Sequence, residues 1–113
     1  MIEQTDVAEE TPIACILTGD ELAERGDEVN GLFAAVEEVR ELTDGYAFRF
    51  PGDDATAARV LEFTLAERRC CPFFTFELVF EPNIGAIWVH LCGSSAVKEF
   101  VASAWGEIIA AHP

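Results

Sequence analysis

The run Ala66-Glu-Arg-Arg-Cys-Cys-Pro-Phe-Phe-Thr-Phe-Glu-Leu78 constrains this chain more than any other segment. A proline disfavours helical geometry in the residue before it. The helix predicted from Asp53 or Asp54 must therefore stop at Cys70-Cys71. Beyond Pro72, Phe74, Phe76, Leu78 and Phe80 alternate with Thr75 and Glu77, the period of a strand with one buried face. Two adjacent cysteines are thus expected on the last turn of a helix that hands directly over to a strand. Neighbouring cysteines close on each other only through a strained ring, because a disulfide prefers Cα atoms roughly 5.5 Å apart. Thiolates do, however, favour Zn, Cu(I) and other thiophilic ions.

The remaining segments supply the partners. Pro12–Leu17 reads as a short strand with Ile13, Cys15 and Leu17 on one face. Thr18-Gly-Asp-Glu21 is a capping box, and Leu22, Val29, Leu32, Phe33, Val36 and Val39 continue it at helical spacing, with a kink or break near Gly26 and Gly31. Asp44-Gly45 is a turn before the alternating strand Tyr46–Phe50. A hairpin joins Phe74–Phe80 to Ala86–Cys92. Ser94 or Ser95 then caps a final helix with Val97, Phe100, Val101, Ala104, Trp105 and Ile108 as its core stripe. The predicted order is β-α-β-α-β-β-α. This is an α+β two-layer sandwich, an antiparallel four-stranded sheet with helices on one face, occupying residues 12–113 as one domain. Residues 1–11 carry four acids and no base and read as a disordered acidic arm.

With 21 acidic against 7 basic side chains, the formal charge is −14. This excludes the clustered Lys and Arg that nucleic-acid phosphates or anionic membranes require. The N-terminus lacks the basic start and apolar stretch of a secretory signal, and no run reaches the roughly 18–20 apolar residues of a membrane span. The expected location is the cytoplasm, where thiols stay reduced. Cysteines in that setting are often small hydrophobes of the core, and that reading competes with any chemistry proposed for them.

On a helical wheel, Ala57, Val60, Leu61 and Thr64 define the buried stripe, with Cys71 near its centre and Cys70 and Phe63 at its margin. Glu67 falls on this apolar side, within reach of both cysteines. A buried carboxylate requires a partner. One reading pairs Glu67 with Arg49, Arg68 or Arg69. The other makes it an oxygen ligand, or a supporting base, of a metal site formed with Cys70, Cys71 and Cys15, which shares the inward face of the first strand. His90 and Cys92 alternate with Ile87, Val89 and Leu91 and are expected on the opposite face of the sheet with Trp88, away from the site. A helix C-terminus raises a thiol's pKa and favours bound cations, so this placement leans to metal binding rather than nucleophilic catalysis. No Cys-His pair and no phosphate-cradling glycine loop is evident, and no organic cofactor is indicated.

Ile13–Leu17, Glu41–Phe50 and above all Ala66–Leu78 resemble a family of small uncharacterised bacterial proteins. Their Glu-x-x-Cys-Cys-x-Phe-x-x-Phe pattern is similar to segments following the DNA-binding region of some mercury-resistance-type (MerR) regulators. The resemblance implies a stand-alone counterpart of a sensor or binding domain, with Cys70 and Cys71 as metal-binding candidates. This chain has no helix-turn-helix segment of its own.

Three functions follow. The first is binding of a thiophilic ion (Zn, Cu(I) or Hg) through Cys15, Glu67, Cys70 and Cys71, for sequestration, delivery or sensing. The second is a metal-free module whose cysteines are structural and whose Phe63, Phe73, Phe74, Phe76 and Phe80 line a ligand pocket or a homodimer face. The third, a thiol-dependent enzyme, lacks an evident base.

Overall fold

The computed structural model describes residues 29–113. The acidic arm, the predicted first strand with Cys15, and the start of the first predicted helix lie outside the described residues. Residues 29–33 are helical, but that helix does not extend to Val39 as its spacing suggested. Glu38–Leu42 instead forms strand β1, paired antiparallel with β2 (Gly45–Phe50) across the two-residue turn Thr43-Asp44. In Glu38-Val-Arg-Glu-Leu42, strand alternation competes with the helical spacing of Val36 and Val39. Pairing with β2 decides it, because Val39 then lies opposite Phe48 on the core face.

Helix α1 (Asp54–Cys70) follows. Its N-cap is Asp53, whose carboxylate accepts from the Thr56 N–H at 3.0 Å and from the Thr56 hydroxyl at 2.8 Å. Strands β3 (Thr75–Phe80) and β4 (Ile87–Cys92) form the second hairpin, and helices α2 (Ser95–Ala104) and α3 (Gly106–Ala111) complete the described chain. The sheet is antiparallel throughout, in the order β1-β2-β4-β3. After the helical residues 29–33 the order of elements is β-β-α-β-β-α-α, which corrects the predicted one within this region. The predicted single C-terminal helix is divided at Trp105, which leaves helical geometry at φ −111°, ψ 23° just before the poor helix former Gly106.

Cross-strand pairing places Phe48, Val89 and Leu78 in one row and Phe50, Ile87 and Phe80 in the next, all on one face of the sheet. Phe48, Phe50, Ile87, Val89 and Leu91 join Val60 and Phe63 of α1 and Val97 and Val101 of α2 in a single hydrophobic core. Phe33 lies at its centre, edge-on to Phe48, Phe50 and Phe63 at ring separations of 5.2, 5.3 and 5.2 Å. The opposite face mixes charged residues with buried Ala47, Trp88 and Cys92. There the Arg40 guanidinium lies 4.5 Å above the Trp88 ring, and Arg49 is shared between Glu37 and Glu38. Gly45 is required at its place, since any Cβ there would run into the Leu91 carbonyl of the neighbouring strand. Lys98 ties α2 to the first hairpin by donating to Glu41 and to the Leu42 carbonyl, both at 2.8 Å.

The turn between β3 and β4 holds two left-handed residues, Asn83 at φ 62° and Ile84 at φ 54°. Asparagine tolerates this region, but a β-branched side chain is strained there. Ile84 is 83% exposed, so it recovers nothing by burial. Ile84→Asn should therefore stabilise the fold by about 1 kcal/mol, read as a higher denaturant midpoint at constant slope. An unchanged or lower midpoint refutes this account of the turn.

Candidate metal centre

The site is built by the way α1 ends. Pro72 prevents continuation, and Cys71 becomes the C-cap at φ −129°, ψ 73°, its N–H donating to the Glu67 carbonyl at 2.6 Å. This cap bond closes the last turn over the span that carries the Glu67, Cys70 and Cys71 side chains. The buried spine of the helix is Thr56, Val60, Phe63, Glu67 and Cys70, advancing by three or four residues at each step. It is rotated from the predicted stripe, because Leu61 is 46% exposed and Thr64 only half-buried, its hydroxyl donating to the Val60 carbonyl. The rotation puts Cys70 on the spine itself. Cys71 reaches the core from its non-helical cap position.

Glu67 is 5% exposed, Cys70 3% and Cys71 4%. Their ligand atoms all lie within 4.8 Å of one another, and the two sulfurs are 3.5 Å apart. Two thiolates on one tetrahedral zinc, with Zn–S bonds near 2.3 Å, stand roughly 3.8 Å apart, so the sulfur pair is already at ligand spacing. The negative end of the helix dipole points at this group, a setting that favours a cation.

The arginine partners expected for Glu67 are engaged or placed elsewhere. Arg49 serves Glu37 and Glu38 across the sheet, and Arg68 and Arg69 are exposed. Glu67 is nevertheless not left unsatisfied. Cys70 is disulfide-bonded, whereas Cys71 and Cys92 carry thiols. A sulfur held in a disulfide is no thiolate ligand, so the three donors become available together only in the reduced chain. Cys15, expected as a further ligand, lies outside the described residues.

His90 and Cys92 are not brought into the group. His90 sits on the sheet face opposite the core with its Nδ1 3.1 Å from the Glu77 carboxylate. Cys92 is buried at the sheet end, where desolvation first, and then the charges of Asp44 and Glu77, push its thiol up to about 11.

Beside the triad opens a cavity of about 540 Å³, walled by Val29, Phe33, Phe100, Ala104, Trp105 and Ile108 and closed on one side by Glu67, Cys70 and Cys71. The Trp105 indole N–H is buried with no hydrogen-bond partner. The sequence pattern marked Trp105 and Phe100 as core stripe. Their place against the cysteines follows from the helix break at residue 105, for which Gly106 was the only local signal.

A scan against protein-family models finds no match to this chain, and searches of the curated proteins and of the solved structures find none either.

The raised Cys92 pKa has a measurable consequence. A thiol whose pKa is raised from 9.0 to about 11 in the folded state adds stability that is complete below pH 9 and lost as pH rises towards 11. Cys92→Ala should flatten the decline in melting temperature over that interval, and a decline of equal steepness in the variant assigns it to other groups. At pH 8 Cys92 should alkylate far more slowly than a small-molecule thiol. Equal rates refute the desolvated environment.

Proposed function

We propose that the reduced protein binds one thiophilic metal ion (Zn, Cu(I) or Hg) through Cys70, Cys71 and Glu67, and so acts in sequestration, delivery or sensing of the metal. The observation that carries this reading is the burial of two sulfurs 3.5 Å apart with a carboxylate inside the same 4.8 Å group at a helix C-terminus. Cys15 is proposed as the further thiolate that completes the set. The resemblance to MerR-type C-terminal segments agrees with a metal-related role. The net charge of −14 and the absence, among the described residues, of a helix long and apolar enough to cross a membrane support a cytoplasmic protein. On the same grounds, neither nucleic acid nor lipid is proposed as a partner. The helices and sheet are taken as two layers, and association into a homodimer is compatible with exposed Phe80 on edge strand β3.

One observation favours the alternative, a metal-free module with structural cysteines: the disulfide at Cys70. The two readings divide on reduction. Under the metal reading, the reduced chain should take up one equivalent of Zn(II) in competition with a chromophoric chelator, and the oxidised chain should take up none. Replacing both Cys70 and Cys71 with Ser should abolish the uptake. Equal behaviour of oxidised and reduced protein, or undiminished affinity in the double variant, eliminates the metal centre.

Glu67→Gln keeps the size of the side chain and removes its charge. As a ligand, or a group supporting one, its loss should lower metal affinity about 10–100-fold, the usual range for such substitutions. Affinity unchanged within error takes Glu67 out of the site and leaves a two- or three-thiolate centre.

A further inference from the structure

A bare ion held by the triad leaves most of the neighbouring cavity unused. The volume of about 540 Å³ lies within the range of pockets that enclose small organic molecules. Its walls are mainly apolar, with Phe33, Phe100, Trp105 and Ile108 facing the space next to the sulfurs. When Cys70, Cys71 and Glu67 are its only protein donors and Cys15 does not complete the set, a metal keeps a fourth position open, and the cavity beside the triad offers room for a group on it.

Polarity narrows what the fourth ligand is. A halide, a hydroxide or a carbon group bonded to the metal each offsets one unit of its charge, so charge does not separate them. A hydrocarbon group alone also removes apolar surface from water on entering a cavity walled by Phe33, Phe100, Trp105 and Ile108, which is favourable.

We propose, resting on the metal reading above, that the site takes an organometallic cation: a soft metal already bearing one apolar organic group, with the metal on Cys70 and Cys71 and the organic group in the cavity beside Trp105. On binding, the Cys70 and Cys71 thiols each lose a proton to solvent and two sulfur–metal bonds form. The halide or hydroxide previously on the metal leaves. The carbon–metal bond stays intact, and nothing is oxidised or reduced.

The test compares phenylmercury and methylmercury, each below one equivalent of the reduced protein, in competition with a small monothiol. The thiol's own phenyl-to-methyl ratio serves as the reference. Burial of the ring should make the protein favour phenylmercury about tenfold or more beyond that reference. In a Trp88→Phe background, phenylmercury should quench the remaining Trp105 fluorescence. Ala104→Phe, or independently Ser103→Leu, narrows the cavity from its rim and should erase the phenyl preference while leaving Hg(II) affinity unchanged. A ratio equal to that of the small thiol, or filling variants that weaken Hg(II) and phenylmercury alike, overturns the proposal and leaves the metal reading standing. Failure of the reduced chain to bind Hg(II) or Zn(II) removes both.

Discussion

The packing around Phe33 is the contact on which the rest of the described structure depends. Its ring touches Phe48 and Phe50 of the sheet, Phe63 of α1, and Trp105 at the break after α2, the last at 5.6 Å. Each such pair is worth roughly 0.5–1.5 kcal/mol beyond area burial, and deleting a ring so enclosed costs about 3–5 kcal/mol. Against a total stability of about 5–15 kcal/mol for a domain, one side chain holds sheet, α1 and the C-terminal helices together. Strands paired only through backbone hydrogen bonds would leave these helices without a fixed position.

The same packing aims the site. Val60 and Phe63 anchor α1 against the core, and Glu67 and Cys70 continue that spine into its last turn. Because Phe63 is held by Phe33 and Trp105, the rotation of α1 about its axis is set well before the chain reaches the cysteines. Pro72 then breaks the helix, and the Cys71 cap brings the second sulfur alongside the first. Burial of Glu67 is tolerable only with compensation, and its carboxylate is not left unsatisfied. In the oxidised state Cys70 is committed to its disulfide, so disulfide formation and the proposed cation binding draw on one sulfur.

Sequence legibility follows interaction range. The α1 boundaries rest on Asp53 and Pro72, and the strands of the second hairpin on alternation between Thr75 and Cys92; all of these are local and were readable. The place of Glu67 on the apolar side of α1 was readable as well, since the helical period alone sets it. The β1 strand was not, because Val36 and Val39 satisfy helical spacing equally well and only pairing with β2 separates the two. The exposure of Leu61 was hidden for the same reason: a wheel ranks faces by composition, whereas the sheet and Phe33 choose the rotation.

By itself, then, the chain's sequence determined that a helix ends at two adjacent cysteines with a carboxylate one turn back, and that a strand follows. Proline geometry, helical period and strand alternation act within a few residues and need no fold. Tertiary structure alone decided that Glu67 and both sulfurs are buried, that Arg49 is committed across the sheet rather than to Glu67, and that an aromatic-walled cavity adjoins the triad. Those depend on contacts between segments tens of residues apart, whose geometry is set by how the aromatic core packs and not by any local pattern.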